Sequence, residues 1–220
     1  MDTIECIKTR MSIRKFKPEQ VPTSLLSSII DTAKCSPSYK NSQPWEVVIV
    51  SGAKKEALSK HLIGLLEAGT LPCPDISEPL SWPPVINARV ASLFKKRSEL
   101  TGIDLNSPEI KKKSKIANFS FYGAPHGIFL FQDASLNEWS ILDMGIFAQT
   151  LMLAAHAHGL GTVPQAFLTD YAQDIKKFLA VPEHKRLVLG LSIGYPDMTS
   201  KANSFRTDRA DTTGILTMSE

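Results

Sequence analysis

Arg10-Met11-Ser12-Ile13-Arg14-Lys15-Phe16, read with Pro37-Ser38-Tyr39-Lys40-Asn41-Ser42-Gln43-Pro44-Trp45, is the stretch from which the rest of the chain unfolds. The first segment packs three cations and a hydroxyl into a few residues just after a short helical pattern. If it runs extended, Arg10, Ser12 and Arg14 point to one side. Two guanidiniums and a hydroxyl on one side make an anion clamp, and arginine suits planar, bidentate recognition of phosphate. The plain alternative is a solvated edge strand. The second segment is a polar loop with prolines near its ends that runs into an apolar strand. Its Ser, Asn and Gln side chains offer donors and acceptors to a flat polar ligand, or simply join a helix to a strand.

Outward from these segments, Asp2 or Thr3 caps a short helix carrying Ile4 and Ile7. Pro22 opens a second helix whose Leu25, Leu26, Ile29, Ile30 and Ala33 form one stripe, ended by Pro37. Trp45 to Val50 reads as a buried strand stopped by Ser51-Gly52, and residues 53 to 66 as a helix. Pro72, Pro74, Pro79, Pro83 and Pro84 make residues 68 to 84 an extended excursion, ordered against something or mobile. Helices follow at 86 to 100 and 108 to 118, then a strand from Gly127 to Gln132. Residues Ile141 to His158 are apolar nearly all round and read as a central helix capped by Gly159. Thr162-Val163 begins a short strand that Pro164 interrupts. An amphipathic helix spans 170 to 180, and Leu187 to Gly194 is the last strand. Few helices are bracketed by strands at βαβ spacing, so the pattern favours α+β over a doubly wound sheet. The chain reads as a single domain, 1–220. Its polar tail, 196–220, has little to bury alone and is suited to wrapping a neighbour.

The composition allows one sizeable core: 220 residues, 43% hydrophobic and 21% charged. A net charge of +3 is low for a nucleic-acid binder. The run Lys111-Lys112-Lys113 with Lys115 reads as a solvated helix face. Three cysteines, Cys6, Cys35 and Cys73, with no C-x-x-C spacing, suggest neither a disulfide framework nor a zinc site. Reduced thiols, an early acid at the N-terminus and the lack of an apolar run near 18 to 20 residues point to a soluble cytoplasmic protein without a membrane segment.

Other candidates sort quickly. Gly159-Leu160-Gly161 follows a helix, whereas a Rossmann turn follows a strand, so a dinucleotide fold is rejected. Glycine and proline in Gly159 to Ala166 instead let backbone N–H groups approach a flat ligand. His156 and His158 are two apart on a helix and face different ways, so they do not share a metal. No H-E-x-x-H or G-x-S-x-G occurs, and the serines near Ser36 lack His and Asp partners. Cys35 reads as a boundary thiol rather than a nucleophile. Arg206 and Arg209 gain meaning only if the tail returns to the clamp.

Taken in order, these segments resemble the FMN-dependent nitroreductase family. The resemblance runs from Arg10 to about Arg209. It rests on the clamp, on Ala33-Lys34-Cys35-Ser36-Pro37-Ser38 with Asn41 and Gln43-Pro44-Trp45, and on Gly123-Ala124-Pro125 before a strand. It continues with Asp143-x-Gly145 opening a helix that runs to Gly159-Leu160-Gly161-Thr162. Phe119 to Pro125 and the Pro-rich excursion are similar to the nitrobenzoate reductase branch. The resemblance implies a homodimer with FMN at the subunit interface, and an α+β fold whose mostly antiparallel sheet is completed by the partner's C-terminal segment. It implies cofactor contacts from Arg10, Met11, Ser12 and Arg14, with Arg206 and Arg209 joining from the tail. Pro37, Ser38 and Asn41 would come from the other subunit. Pro164, Gln165 and Ala166 would lie against the isoalloxazine, the Ala166 N–H near N5, with Asn118 a further ring contact. Many relatives carry an acidic residue in that short stretch and this chain does not. The implied activity is NAD(P)H-dependent reduction of a nitroaromatic or quinone-like acceptor by a ping-pong mechanism, with the chemistry on the flavin. A flavin carrier or sensor, or a dehalogenase or dehydrogenase on the same fold, is the alternative, since fold does not fix substrate.

Overall fold

The computed structural model describes residues 1–219 apart from positions 103 and 106. Four antiparallel strands lie in the order β1 (Glu46–Ser51), β2 (His126–Asp133), β4 (Lys185–Gly194) and β3 (Gly161–Gln165). The central strands are buried on both faces, and their side chains divide with period two. On β2, Phe129 and Phe131 enter one core with Leu58, Leu62 and Phe119. Ile128 and Leu130 enter a second core with Met144, Phe147 and Leu151. The first core is roofed by α3 (Gly52–Glu67), α5 (Pro108–Phe119) and α7 (Ala172–Leu179). The second is roofed by α2 (Thr23–Ala33) and α6 (Glu138–Ala157). Leu130 faces Leu189 but Phe131 faces Leu187, so Val188 is an extra residue in the ladder. This bulge turns Leu187 into the first core while Val188 and Leu189 pack against the second. The result is an α+β architecture.

Three expectations need correcting. Pro164 does not interrupt β3, which pairs with β4 straight through it, Pro164 opposite Leu191. Because β3 is an edge strand, a residue without an N–H is tolerated there. The central helix begins earlier, at Glu138, with Asn137 Oδ1 accepting from the Trp139 N–H. Asp143 therefore sits in its second turn rather than at its opening. At 20 residues and a mean hydropathy of 1.2, α6 is also long and apolar enough to cross a membrane by length and composition. Half of that window is buried inside the protein, against α2 and the sheet, as a core helix requires.

The Pro-rich segment is tethered at three points: Tyr171 Oη donates to Thr70 O, Cys73 N–H donates to Asp170 O, and Asp75 anchors it to the sheet. β3 covers only Gly190–Gly194 of β4, which leaves the Lys185–Leu189 half without a strand on that side. The Asp75 carboxylate accepts the Leu187 N–H there at 2.8 Å and pairs with the buried Lys176 ammonium at 3.0 Å. Past this anchor the chain emerges into the exposed helix α4 (Pro84–Thr101).

The tail divides in two. Lys17 N–H donates to Tyr195 O and Asp197 N–H donates to Lys15 O, so the start of the tail pairs with its own clamp segment. Asn203 is buried there. Residues 206–219 are exposed, but Arg206 and Asp208 bond to Thr9 and Lys96 of their own chain, so only the part beyond Ala210 is left to cross to a partner. Glu220 lies outside the described residues.

Candidate functional site

The clamp is held at the free edge of β3. Ile13 N–H donates to Thr162 O at 3.0 Å, and Ser12 pairs with Thr162 in parallel register. Ile13 points into the core, so Arg10, Ser12 and Arg14 open to the other side, as strand alternation demands. They line a cavity of about 390 Å³ together with Met11, Arg206 and Arg209. Met11 also packs against the first core and supplies a wall. The tail braces the clamp from behind. Asn203 Oδ1 accepts the Arg14 N–H at 2.7 Å, and its Nδ2 donates to Lys15 O and Asp197 O, both at 2.8 Å.

The field in this cavity is strongly positive. Burial pushes the Arg10 guanidinium below the usual arginine value, and Arg209 and Arg206 push it further. Arg97, on α4, is lowered by burial and by the charge of Arg14. Arg206 donates to Thr9 O, and Arg209 to Thr207 and the Asp208 carbonyl. Arg10 Nη1 is buried and has no hydrogen-bond partner among the described residues. An orphaned buried donor among converging cations fits a dianionic phosphate, which supplies acceptors and cancels the repulsion.

A flat surface continues from the clamp along β3. Pro164 and Ala166 are exposed while Gln165 between them is buried. Gln165 Nε2 donates to the carbonyl and side-chain oxygens of Asn118, at 3.0 and 3.2 Å, and the Ser192 hydroxyl donates to Gln165 Oε1. Asn118 Nδ2 donates to Ser114 O at 2.8 Å. These two amides thus brace the strand from within, and what Gln165 offers the open side is its backbone. Ala166 lies four residues beyond Thr162, about 13 Å along an extended chain.

The polar loop is built to keep one shape. Lys40, Asn41 and Gln43 have left-handed φ of 51°, 55° and 47°. Two contacts hold that strain: Tyr39 N–H donates to the Asp143 carboxylate at 3.1 Å, and Gln43 N–H to Ser38 Oγ at 3.0 Å. Asp143 sits toward one end of α6. His156, at the other end, contacts Thr9 Oγ1 at 2.8 Å beside the clamp. Their separation of thirteen positions is about 20 Å along the helix. One protomer therefore brings Arg10, Met11, Ser12, Arg14, Arg206 and Arg209 together, with Pro164 and Ala166 along the same strand. It leaves Pro37, Ser38 and Asn41 at the far end of α6.

Sequence reasoning missed Asn203 and Arg97. A lone Asn in a polar tail carries no local signal, and neither does one cation on a basic helix. The lysine run behaves as a helix face: Lys113 pairs with Glu109 at 2.6 Å and Lys115 with Asp170 at 2.9 Å.

A cationic cavity at the edge of an α+β sheet, with a flat strand surface leading away from it, is an arrangement that suits a phosphorylated planar ring. The chain belongs to the nitroreductase family, whose model matches residues 7–195. It is 36% identical over 206 residues to nitroreductase NfnB of Mycolicibacterium smegmatis, covering 93% of this chain and 87% of that one. It is also 36% identical over 211 residues to 4-nitrobenzoate reductase of Pseudomonas putida, covering 92% and 89%. The solved structure of the FMN-dependent nitroreductase NfnB from Mycobacterium smegmatis in complex with NADPH superposes with a TM-score of 0.93 at 32% identity, over 99% of this chain and 97% of that one.

Proposed function

We propose that the protein is an FMN-dependent NAD(P)H nitroreductase that works as a homodimer. One observation carries the reading: the buried, unpartnered Nη1 of Arg10 in a cavity shared with Arg14, Arg206 and Arg209, on the segment bonded to β3. Bound FMN would supply the redox chemistry, passing hydride from a nicotinamide to a nitroaromatic or quinone-like acceptor, with the two reactants using one place in turn. The protein's own groups bind and orient. Arg10, Ser12, Arg14 and Arg209 hold the phosphate and ribityl chain, with Arg206 fixed to Thr9. Pro164, the Gln165 backbone and Ala166 would support the ring, to which Ala166 would offer its backbone N–H. No side-chain nucleophile is required, and Cys35 stands exposed at the end of α2.

The separation of about 20 Å between the clamp end of α6 and the Pro37–Asn41 loop supports the homodimer reading. Ile141, Leu142, Gly145 and Ile146 leave a groove along the outer face of α6. Pairing this face with that of a second copy about a two-fold axis sets the Asp143 end of one helix beside the His156 end of the other. Pro37, Ser38 and Asn41 of the second copy then reach the flavin, and residues 211–219 have a surface to cross.

Arg14→Ala and Arg209→Ala test the reading. Each is expected to weaken FMN binding by about 1.5 to 3 kcal/mol, the range for charge-assisted hydrogen bonds. Unchanged flavin occupancy in both rejects the clamp. Bleaching of the flavin by NADPH, followed by reoxidation with a nitroaromatic and parallel initial-rate lines, separates a ping-pong enzyme from a flavin carrier.

A further inference from the structure

A second cavity, about 510 Å³, lies between α4 and the tail. Val90 and Leu93 of α4 and Phe205 of the tail give it an apolar floor, and Arg89, Lys96 and Arg209 give it positive charge. Lys96 is ion-paired with Asp208, whereas Arg89 makes no hydrogen bond or ion pair among the described residues. Phe205, Thr207 and Arg209 line this cavity and the phosphate clamp alike, so the two share a wall.

An apolar slot with a cation at its mouth matches a flat heteroaromatic ring that carries a phosphate. Inorganic phosphate would leave the floor unused, and a neutral aromatic would leave Arg89 unused. The volume lies within the range of small-molecule sites. A small aromatic acceptor needs only the place over the flavin. A pyridine dinucleotide extends well beyond it and needs a second pocket adjoining the first.

We propose that this cavity receives the adenosine end of NADPH, with Arg89 gripping the 2′-phosphate, and that it sets a preference for NADPH over NADH. The proposal rests on the flavin reading, because the nicotinamide must reach the neighbouring site. It concerns residues that the flavin itself does not use, Arg209 excepted.

The test uses the full chain as purified. Calorimetric titration compares adenosine 2′,5′-bisphosphate with adenosine 5′-diphosphate, and kcat/KM is measured for NADPH and for NADH. The bisphosphate is expected to bind about tenfold more tightly or better and to compete with NADPH. Arg89→Ala should lower the NADPH-to-NADH ratio of kcat/KM by a similar factor, and Arg89→Lys should recover part of it. An unchanged ratio in Arg89→Ala overturns the proposal, as does equal binding of the two adenosine phosphates. Competition by the bisphosphate against the nitroaromatic alone, and not against NADPH, also overturns it. Failure of the flavin reading shows separately, as an absorbance spectrum without FMN, and the titration still reads the cavity in that protein.

Discussion

Ile13 fills the space where Gly161 would carry a side chain: a Cβ there would stand 2.6 Å from Ile13 Cγ1. This contact is what lets the clamp lie against β3. The two glycines of Gly159-Leu160-Gly161 thus serve different ends. Gly159, at φ +75°, closes α6 in the left-handed region, while Gly161 clears room for the clamp's backbone to reach Thr162. Gly161→Ala is expected to destabilise by about 1 to 3 kcal/mol, as overpacking of a filled core does, and to weaken FMN binding with it. Urea unfolding and flavin titration check both. Wild-type flavin affinity in Gly161→Ala would mean that the clamp's seat on β3 does not set its geometry.

Asn203 is buried and ties the tail to the clamp by two hydrogen bonds, with Arg14 N–H and Lys15 O, adding a third to Asp197 O within the tail. Asn203→Ala strands Arg14 N–H, while Lys15 O and Asp197 O keep the Asp197 and Ser200 N–H donors. A loss of about 1 to 3 kcal/mol is expected for leaving such a group unsatisfied. Asn203→Asp should be worse, since it sets an acceptor against two acceptors. Both variants should hold FMN less tightly although neither removes a charged ligand of the phosphate. Truncation after Pro196 removes this brace together with Arg206 and Arg209, so flavin and the paired assembly should be lost together. A flavin-loaded monomer of the full chain in sedimentation would overturn the two-fold arrangement.

How much of this was legible in the sequence depends on the range of the interaction. Helix stripes, strand runs and the alternation of Arg10, Ser12 and Arg14 are local periodicities, and the structure keeps them. The start of α6 and the passage of β3 through Pro164 differ from the sequence expectation, because a cap at Asn137 and a place at the sheet edge come from tertiary context. Asp75, Arg97 and Asn203 were invisible for a stronger reason. Each acts on residues about one hundred or more positions away or, for Arg97, through a field set by a distant arginine. Nothing in their own neighbourhoods marks them.

Acid should destabilise the protein through two histidines. His126 Nε2 accepts the Val21 N–H at 3.0 Å, which places its proton on Nδ1, donated to Ser51 Oγ at 2.8 Å. Burial, then the charge of Lys55, pushes its pKa below the usual histidine value. His156 is lowered by burial, then by Arg10 and Arg206. In the unfolded chain both titrate near about 6.5, so the unfolded state takes up protons first as pH falls. Their contribution to stability is whole above that pH and is lost as pH drops through the lowered folded values. Urea midpoints at pH 7.5 and 5.5 should differ, and His126→Gln, which keeps an acceptor for Val21, should reduce the difference. Equal midpoints in the wild type would contradict the argument.

Asp75 makes the sharpest stability prediction. Its carboxylate bridges Lys176, whose side chain is 3% exposed, and the Leu187 N–H at the bulged half of β4. Lys176 also donates to Lys185 O at 3.0 Å, so the ammonium is fixed in place and cannot swing to water. Asp75→Ala leaves a buried cation without its counter-charge and a strand N–H without an acceptor. Breaking such a buried pair from one side costs about 3 to 5 kcal/mol. Asp75→Asn keeps the acceptor for Leu187 but loses the charge, and should fall between wild type and Asp75→Ala. Removing both charges with Lys176→Met in the Asp75→Asn background should recover part of the loss, since an apolar group tolerates burial where an unpaired ammonium does not. The same anchor helps to order residues 68–83 ahead of α4, so proteolysis within that segment should accelerate in Asp75→Ala. Denaturant midpoints for the four proteins decide the matter: a double variant no more stable than Asp75→Ala would show that the carboxylate holds the segment by its shape and not by its charge.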